Sequence, residues 1–408
     1  MEAAATRGFA VPEQSKALPS IALLTGGADK PYALGLATAL SEQCLSLDFI
    51  GSDEINGPQL HGNPLIHFFN LRGDQRTNVT SWKKALRVLV YYVRLLRYAA
   101  SSRAAIFHIL WNNKFEHFDR TALMWYYRLL GKRIVFTAHN VNTAKRDGHD
   151  SALNRWSLRR QYRLSSHIFV HSDKMKRELL ADFSVAPEKV SVIPFGINNT
   201  VPSTLLTRAE ARERLGLAPG EKVLLFFGNI APYKGLEFLI ESLAKLNGAS
   251  PAYRLIIAGR PKNCEAYWAG IQESIARTGT AGQIVQAIDF IPDEEIEIYF
   301  KAADVLVLPY THIFQSGVLF LGYSFGLPVI AANVGSLGDE IVEGRTGFLC
   351  NRCDAGDLAK AIERFFASDL FRDLPRRSQE IRDYANERYS WTTVGEITRD
   401  IYLKLSRK

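Results

Sequence analysis

The sequence predicts an α/β protein made of two Rossmann-like, doubly wound domains facing each other across a cleft. Three observations predict it. From Val223 to Leu349, apolar β-type runs alternate with helix-type runs (LLFFGNIAPYKGLEFLIESL, RLIIAGRP, IDFIPDEEIEIYFKAADVLVLPY, QSGVLFLGYSFGLPVIAANVGSLGDEIVEGRTGFL), and each changeover carries Gly, Pro or Asn. That alternation is the pattern of a parallel sheet whose ligands gather at the C-terminal strand ends. The first 200 residues repeat it more loosely, and 408 residues suit two domains of ordinary size.

Element by element, Ile21–Leu24 reads as an opening strand, Thr25-Gly26-Gly27 as its turn and Tyr32–Leu40 as a helix. Strands follow at 105–110, 133–137, 167–171 and 189–194. Between them run helical patterns at about 81–100, 121–130 and 151–164. The stretch Phe195-Gly196-Ile197-Asn198-Asn199-Thr200-Val201-Pro202 is turn chemistry, so the domain boundary is placed near 196–203. Thr207 and Glu210 have capping-box spacing for a short helix ending near Leu215. Gly216 to Gly220 makes a turn, and the second sheet starts at Lys222.

Composition narrows the class. The chain is 47% hydrophobic and 23% charged, and no apolar run is long enough to span a bilayer. The first twenty residues lack the apolar core of a signal peptide, and four cysteines make no disulfide framework, so a cytoplasmic setting is expected. Cys350 and Cys353 form a lone CxxC with no second ligand pair, read as a loop after a short strand. Residues 1–200 carry 26 lysines and arginines against 16 acids, whereas residues 201–408 carry 24 against 26. The excess is densest where Arg76, Lys83, Lys84, Arg87, Arg94, Arg97, Arg103 and Lys114 meet no acid. In the 81–100 helix Lys83, Arg87, Arg94 and Arg97 fall within roughly 80° of one another, with Val88, Leu89, Tyr92 and Leu96 on the other side. Such a helix is expected to lie on an anionic membrane; the competing reading is a core helix with a solvated basic face. No nucleic-acid motif accompanies the charge, so no nucleic-acid partner is expected.

Four places could carry chemistry. Gly228 to Gly235 (GNIAPYKG) follows a strand and precedes a helix, and Lys234 beside that turn suits a diphosphate, unless it is an ordinary surface lysine. Gln315-Ser316-Gly317-Val318 starts a helix whose first N–H groups point toward the cleft; Ser316 also suits an N-cap. Gly26 and Gly27 permit close backbone approach to a ligand, or simply make a strand-to-helix turn. His139, just past a strand end, could donate to a substrate hydroxyl or stabilise charge, or be structural. There is no DxD, GxSxG, HExxH or Walker A pattern, which disfavours hydrolase and P-loop readings.

Taken together, GNIAPYKG, AGRP, FIPDEEI, ADVLVLPY, FGLPVIA and GRTGFL, with Gly26-Gly27, FTAHN and VSVIPFGIN before them, resemble the family-4-like nucleotide-sugar glycosyltransferases of the GT-B fold. The tail YSWTTVGEITRDIYLKL is similar to that family's last helix, which crosses back onto the first domain. The resemblance implies an acceptor-binding domain at 1–199, a nucleotide-sugar domain at 200–385 and a crossing helix at 386–408. It implies transfer from a donor such as a UDP- or GDP-sugar to a glycan or lipid-linked acceptor, in polysaccharide or glycolipid assembly at the inner face of the cytoplasmic membrane. Transfer in the family is metal-independent and retaining, with no cofactor. Lys234 and Arg260 would then face the leaving diphosphate together with Ser316–Val318, and His139 would lie near the donor sugar. Two family glutamates are replaced by Ile313 and Leu321, and the family's diphosphate arginine by Asn229. Gln315 is the expected substitute polar contact, as in a QSGV branch of the family. A catalytically silent binding subunit and a sugar phosphorylase are the competing functions.

Overall fold

The computed structural model describes residues 19–407, apart from 28, 76–79, 147, 198–200, 247, 249–251 and 262–263. Arg76, the Asn198-Asn199-Thr200 part of the linker and the residues before Pro19 therefore lie outside the described residues. Two parallel sheets organise the chain. The first has seven strands in the order β3-β2-β1-β4-β5-β6-β7 and the second six in the order β10-β9-β8-β11-β12-β13. The first comprises β1 (Ile21–Leu24), β2 (Leu47–Gly51), β3 (Ile66–Asn70), β4 (Ile106–Ile109), β5 (Arg133–Thr137), β6 (His167–Val170) and β7 (Val190–Val192). The second comprises β8 (Lys222–Phe227), β9 (Tyr253–Ala258), β10 (Ile284–Ala287), β11 (Val305–Leu308), β12 (Val329–Ala332) and β13 (Gly347–Cys350).

Each order reverses once. Ile21 of β1 pairs with Leu47 on one side and Ile106 on the other; Leu306 of β11 pairs with Val329 and with Leu225 of β8. Both turning points, β1/β4 and β8/β11, are places where crossover helices leave in opposite directions and open a crevice. Central strands β1, β4, β6 and β11 are buried at every position, which is why they read as continuous apolar runs rather than alternating ones.

Several sequence expectations shift by a residue or two at strand ends. The opening helix is longer than expected (Lys30–Glu42), and its N-cap Asp29 accepts from Tyr32 N–H. Strands β2 and β3 were not expected at all. The helix expected at 121–130 starts at Glu116 and passes through a π-type turn at Asp119–Leu123 before Met124–Leu129. The capping box at Thr207 and Glu210 is present in both directions. Cys350 ends β13 and is buried, and Cys353 is exposed in the following turn; both are free thiols.

On the Ser81–Ser101 helix Tyr92, Val88 and Leu96 face the core as expected, and Leu89 alone is misplaced. The helix buries Tyr91, Tyr92, Leu95, Tyr98 and Ala99, whereas Leu89 is 62% exposed. Trp82, Leu86, Leu89 and Val93 form an outward apolar stripe, with Lys83, Arg94 and Arg97 on its flank. The outer surface is thus amphipathic in its own right rather than merely basic.

The last helix, Trp391–Ser406, packs on Lys30–Glu42. A Cβ on Gly35 would collide with the Trp391 ring, and one on Gly395 would come within 2.9 Å of the Ala39 carbonyl, so both glycines permit the close approach. Trp391 Nε1 donates to the Ile197 carbonyl at 2.8 Å, and Ile197 N–H donates to the Tyr389 carbonyl at 3.0 Å. The chain entering the second sheet is thereby tied to the chain leaving it. The Tyr402 hydroxyl reaches buried His108 Nδ1 at 2.6 Å. Phe195 stacks on Phe320, ring centres 5.2 Å apart, joining the first sheet's C-terminal edge to the helix after β11.

Candidate functional site

On the second sheet the site is built around Lys234. Gly228 leaves β8 at φ 93°, a conformation that favours glycine. A one-turn 3-10 helix, Pro232–Lys234, then leads to Gly235 and the Leu236–Lys245 helix. This segment is laced to the end of β11: Thr311 N–H donates to the Tyr233 carbonyl at 2.8 Å, and a Cβ on Gly235 would collide with the Pro309 carbonyl. The lacing turns the lysine inward. Lys234 is 4% exposed, so it is no surface lysine. Its Nζ donates to the Phe227 carbonyl at 3.2 Å and lies over the Phe226 and Tyr310 rings. No carboxylate pairs with it among the described residues. Burial lowers its pKa from the usual 10.5 to about 8, because a desolvated ammonium without a counter-ion is disfavoured.

The helix Gly317–Ser324 meets the same point. A Cβ on Gly228 would lie 2.9 Å from Lys234 Nζ and 3.6 Å from Val318 Cγ2, so turn, ammonium and helix start converge. Ser316 occupies the N-cap position, but its side chain caps nothing, leaving the helix's first N–H groups to another acceptor. Gly317 is exposed, with nothing within 4 Å of where a Cβ would stand. Asn229 is exposed on the turn. Arg260 is joined to it through the backbone, Ile230 N–H donating to the Arg260 carbonyl at 2.9 Å. The Arg260 guanidinium extends over Phe290, at 5.3 Å, and no described contact brings it to Lys234. Ile313 and Leu321, where the family carries glutamates, are packed into the core. Neither amide atom of Gln315 makes a hydrogen bond of normal geometry, although its amide favours the ionised form of buried Glu340, which accepts from the Tyr389 hydroxyl.

On the first sheet His139 follows β5 inside an aromatic nest. It stacks on Trp111 with ring centres 4.1 Å apart and planes 3° apart, and Tyr32 meets it edge-on at 4.7 Å. Gly26 and Gly27 have positive φ and a packing reason for it: Cβ atoms there would run into Trp111 and Arg72. His171, one residue past the neighbouring β6, places Nε2 3.0 Å from His139 Nδ1 and its own Nδ1 3.3 Å from the Ile193 carbonyl.

These two distances fix the protons. A carbonyl only accepts, so His171 carries its proton on Nδ1. Burial lowers the His171 pKa to about 4, so the ring is neutral and its Nε2 is bare. His139 must then donate from Nδ1, which leaves its Nε2 as a lone-pair acceptor. That atom is buried and has no partner. On this tautomer Nε2 offers an acceptor, where the sequence reading weighed a donor, a charge-stabilising and a structural role.

Burial also lowers His139 well below 6.5 and His108 to about 3. Their unfolded counterparts bind protons first as pH falls, so native stability is full above pH 6.5 and drains away down to about pH 3. Each fully buried histidine contributes up to about 1.4 kcal/mol per pH unit in that window. Urea midpoints should be level from pH 8 to 7 and fall below 6.5; a level midpoint down to pH 4.5 would contradict the neutral assignment.

Comparison with known proteins gives two adjoining matches: "Glycosyltransferase Family 4" over residues 31–200 and "Glycosyl transferases group 1" over residues 207–388. The chain carries these two glycosyltransferase family regions in tandem. Among curated relatives, the D-inositol 3-phosphate glycosyltransferase of Streptomyces scabiei is 30% identical over 246 residues, 59% of this chain and 54% of that protein. The enzyme of that name from Corynebacterium diphtheriae is 27% identical over 283 residues, 66% of this chain and 64% of that protein. The chain thus spans little more than half the length of the relatives it matches. Sucrose-phosphate synthase of Thermosynechococcus elongatus shares the fold at TM-score 0.74 and 19% identity, over 96% of this chain and 100% of that one. HepE of Anabaena, solved with UDP-glucose, does so at TM-score 0.72 and 18% identity, over 96% and 100%.

Around this site the sequence reading missed Tyr32, Trp111, His171 and Arg72. A signal existed for one of them: His139 and His171 each lie just past the end of a strand, and β5 and β6 are neighbours in the sheet.

Proposed function

We propose that this chain transfers a sugar from a nucleotide sugar to a glycan or lipid-linked acceptor, the donor held by the second sheet and the acceptor by the first. The observation that carries this reading is Lys234, a buried ammonium without a counter-ion at the junction of a glycine turn and an uncapped helix start. As the glycosidic bond breaks, negative charge grows on the leaving diphosphate, and preorganised positive charge in a dry site stabilises that change most. The lysine and helix start supply the charge that a DxD-bound metal supplies elsewhere, in keeping with metal-independent transfer. HepE, whose fold this chain shares, was solved with UDP and with UDP-glucose, which supports a nucleotide-sugar donor. His139 Nε2 would accept from a donor-sugar hydroxyl, and Arg260 with Phe290 offers a flat surface beside the diphosphate position. Retention of anomeric configuration is expected from the family.

A panel of UDP-, GDP-, ADP- and dTDP-sugars tests the reading. One donor class at 100 times its dissociation constant should stabilise the fold by ~2.7 kcal/mol and slowly release its nucleoside diphosphate. No shift with any donor, together with phosphate-dependent cleavage of a disaccharide, would replace the transferase by a phosphorylase. No shift and no cleavage would favour a silent subunit.

The reading includes work at the cytoplasmic face of a membrane, in glycolipid or polysaccharide assembly. No helix among the described residues is long and apolar enough to cross a bilayer. The outward stripe Trp82, Leu86, Leu89 and Val93, flanked by Lys83, Arg94 and Arg97, suits shallow insertion into an anionic surface. Phe115 and Phe118, which contact Tyr92 of the same helix, are also exposed. Near-surface cations contribute ~1 kcal/mol each, so Arg94→Gln with Arg97→Gln should weaken binding to phosphatidylserine vesicles roughly tenfold or more, with the difference shrinking in high salt. Unchanged binding would leave the stripe a solvated face.

A further inference from the structure

A cavity of about 220 Å³ lies in the first sheet's half of the molecule, apart from the Lys234 site. Its walls come from Arg72, Asp74 and Gln75 after β3, from the Ser81–Ser101 helix and from the loop after β4. The charges facing it are Arg72, Lys84, Arg87 and Lys114 against a single carboxylate, Asp74. Asp74 pairs with Arg87 at 3.2 Å. Arg72, Lys84 and Lys114 have no carboxylate partner within ion-pair distance among the described residues. Arg72 is held rather than free: Nη1 donates to Asn113 Oδ1 at 3.2 Å, and the guanidinium lies 4.8 Å over the Tyr91 ring. Its Nε is buried and makes no hydrogen bond. A guanidinium held in place, beside two lysines without ion-pair partners, is suited to a tetrahedral oxyanion.

The cavity's position says what carries the anion. Strand order sets the β3 and β4 loops on either side of the β1 turn, at the crevice of the first sheet. Arg72 packs on Gly27, Gly26 packs on Trp111, and Trp111 stacks on His139. This run of contacts links the cavity wall to the ring assigned to the donor sugar. On the other side Lys84 and Arg87 belong to the helix that bears the apolar stripe.

We propose that this cavity binds the phosphate or diphosphate of an anionic acceptor and so directs the acceptor's hydroxyl toward the donor sugar. The proposal rests on the transferase reading and adds the acceptor's chemical class.

The test is a titration with inorganic pyrophosphate, followed by calorimetry. The wild-type protein should bind at two sites. Lys234→Met should remove one of them. Arg72→Gln with Lys114→Gln should weaken the other by at least about tenfold, since charge-assisted hydrogen bonds are lost, while UDP affinity stays the same. Retention of both sites in the double variant would overturn the proposal. Two sites that both survive Lys234→Met would overturn the diphosphate role of Lys234 and leave this one standing. Lys114→Gln alone, on an exposed side chain, provides a variant that folds; its pyrophosphate affinity should fall severalfold, and an unchanged value would count against the site. Geranyl diphosphate in bicelles and glucose 1-phosphate in solution then separate the sources. Tighter capture of the first identifies a lipid-linked acceptor, equal or weaker capture a soluble sugar phosphate, and capture of neither overturns the proposal.

Discussion

Lys234→Met should make the protein more stable and almost inactive. The folded-state pKa of about 8 lies below the unfolded value of about 10.5. The unfolded chain therefore binds the proton more tightly, and at neutral pH the native state bears the full cost of burying the charge. That cost is relieved only as pH climbs from about 8 to 10.5. Methionine fills much the same space without charge and should stabilise the fold at pH 7 by a few kcal/mol, offset in part by the lost bond to the Phe227 carbonyl. Transfer should fall about 10²–10³-fold, the loss typical of removing one group that stabilises developing negative charge. Nucleoside diphosphate affinity should fall with it. In the wild type that affinity should be level up to about pH 8 and decline above it, as the ammonium loses its proton; in the variant the decline should vanish. A variant less stable than wild type at pH 7, with normal transfer, would make Lys234 a structural residue. Stability stored against function in this way is common at sites where strain or unpaired charge serves the reaction.

The second large effect concerns His139. His139→Ala should lower turnover about 10²-fold while UDP affinity changes less than about twofold, if the ring meets the sugar rather than the nucleotide as proposed. Equal losses in both would reduce it to a binding residue. Its tautomer gives a readout that mere packing would not. Nitrogen NMR of the resting protein should show His139 protonated at Nδ1 and bare at Nε2, and His171 likewise. His171→Phe preserves the ring against Phe195, 4.9 Å away, but removes the acceptor for His139 Nδ1. Turnover should then drop about tenfold and the His139 signals should show mixed tautomers. An unchanged tautomer in that variant would remove His171 from the positioning role.

Much of the second sheet was legible because its signals are local. Apart from the edge strand β10, each strand there is an apolar run ended by Gly, Pro or Asn, and Thr207 with Glu210 marks a helix start by spacing alone. Lys234 was legible as a candidate for the same reason, although its burial was not: that depends on Gly235 fitting under the Pro309 carbonyl, a contact between segments far apart in sequence. Strand β3 is an edge strand with a mostly exposed pattern, so no apolar run announced it, and Arg72 beyond it was missed with it. Leu89 was misplaced because an angular plot ranks residues against one another without knowing where the sheet lies. Tyr91, Tyr98 and Ala99 set the buried side, and that moved the apolar stripe outward. His171 acquires its meaning only from the pairing of β5 with β6. The crossing helix, in contrast, was read from resemblance, and Gly35 and Gly395 give its physical reason.

The account stands on the diphosphate meeting Lys234. A crystal structure of the protein with UDP tests that most directly. The prediction is a phosphate oxygen within hydrogen-bond distance of Lys234 Nζ and another facing the N–H groups of Gly317 and Val318, beside Gly228. A UDP whose phosphates lie away from both, with Lys234 still bonded only to the Phe227 carbonyl, would contradict it.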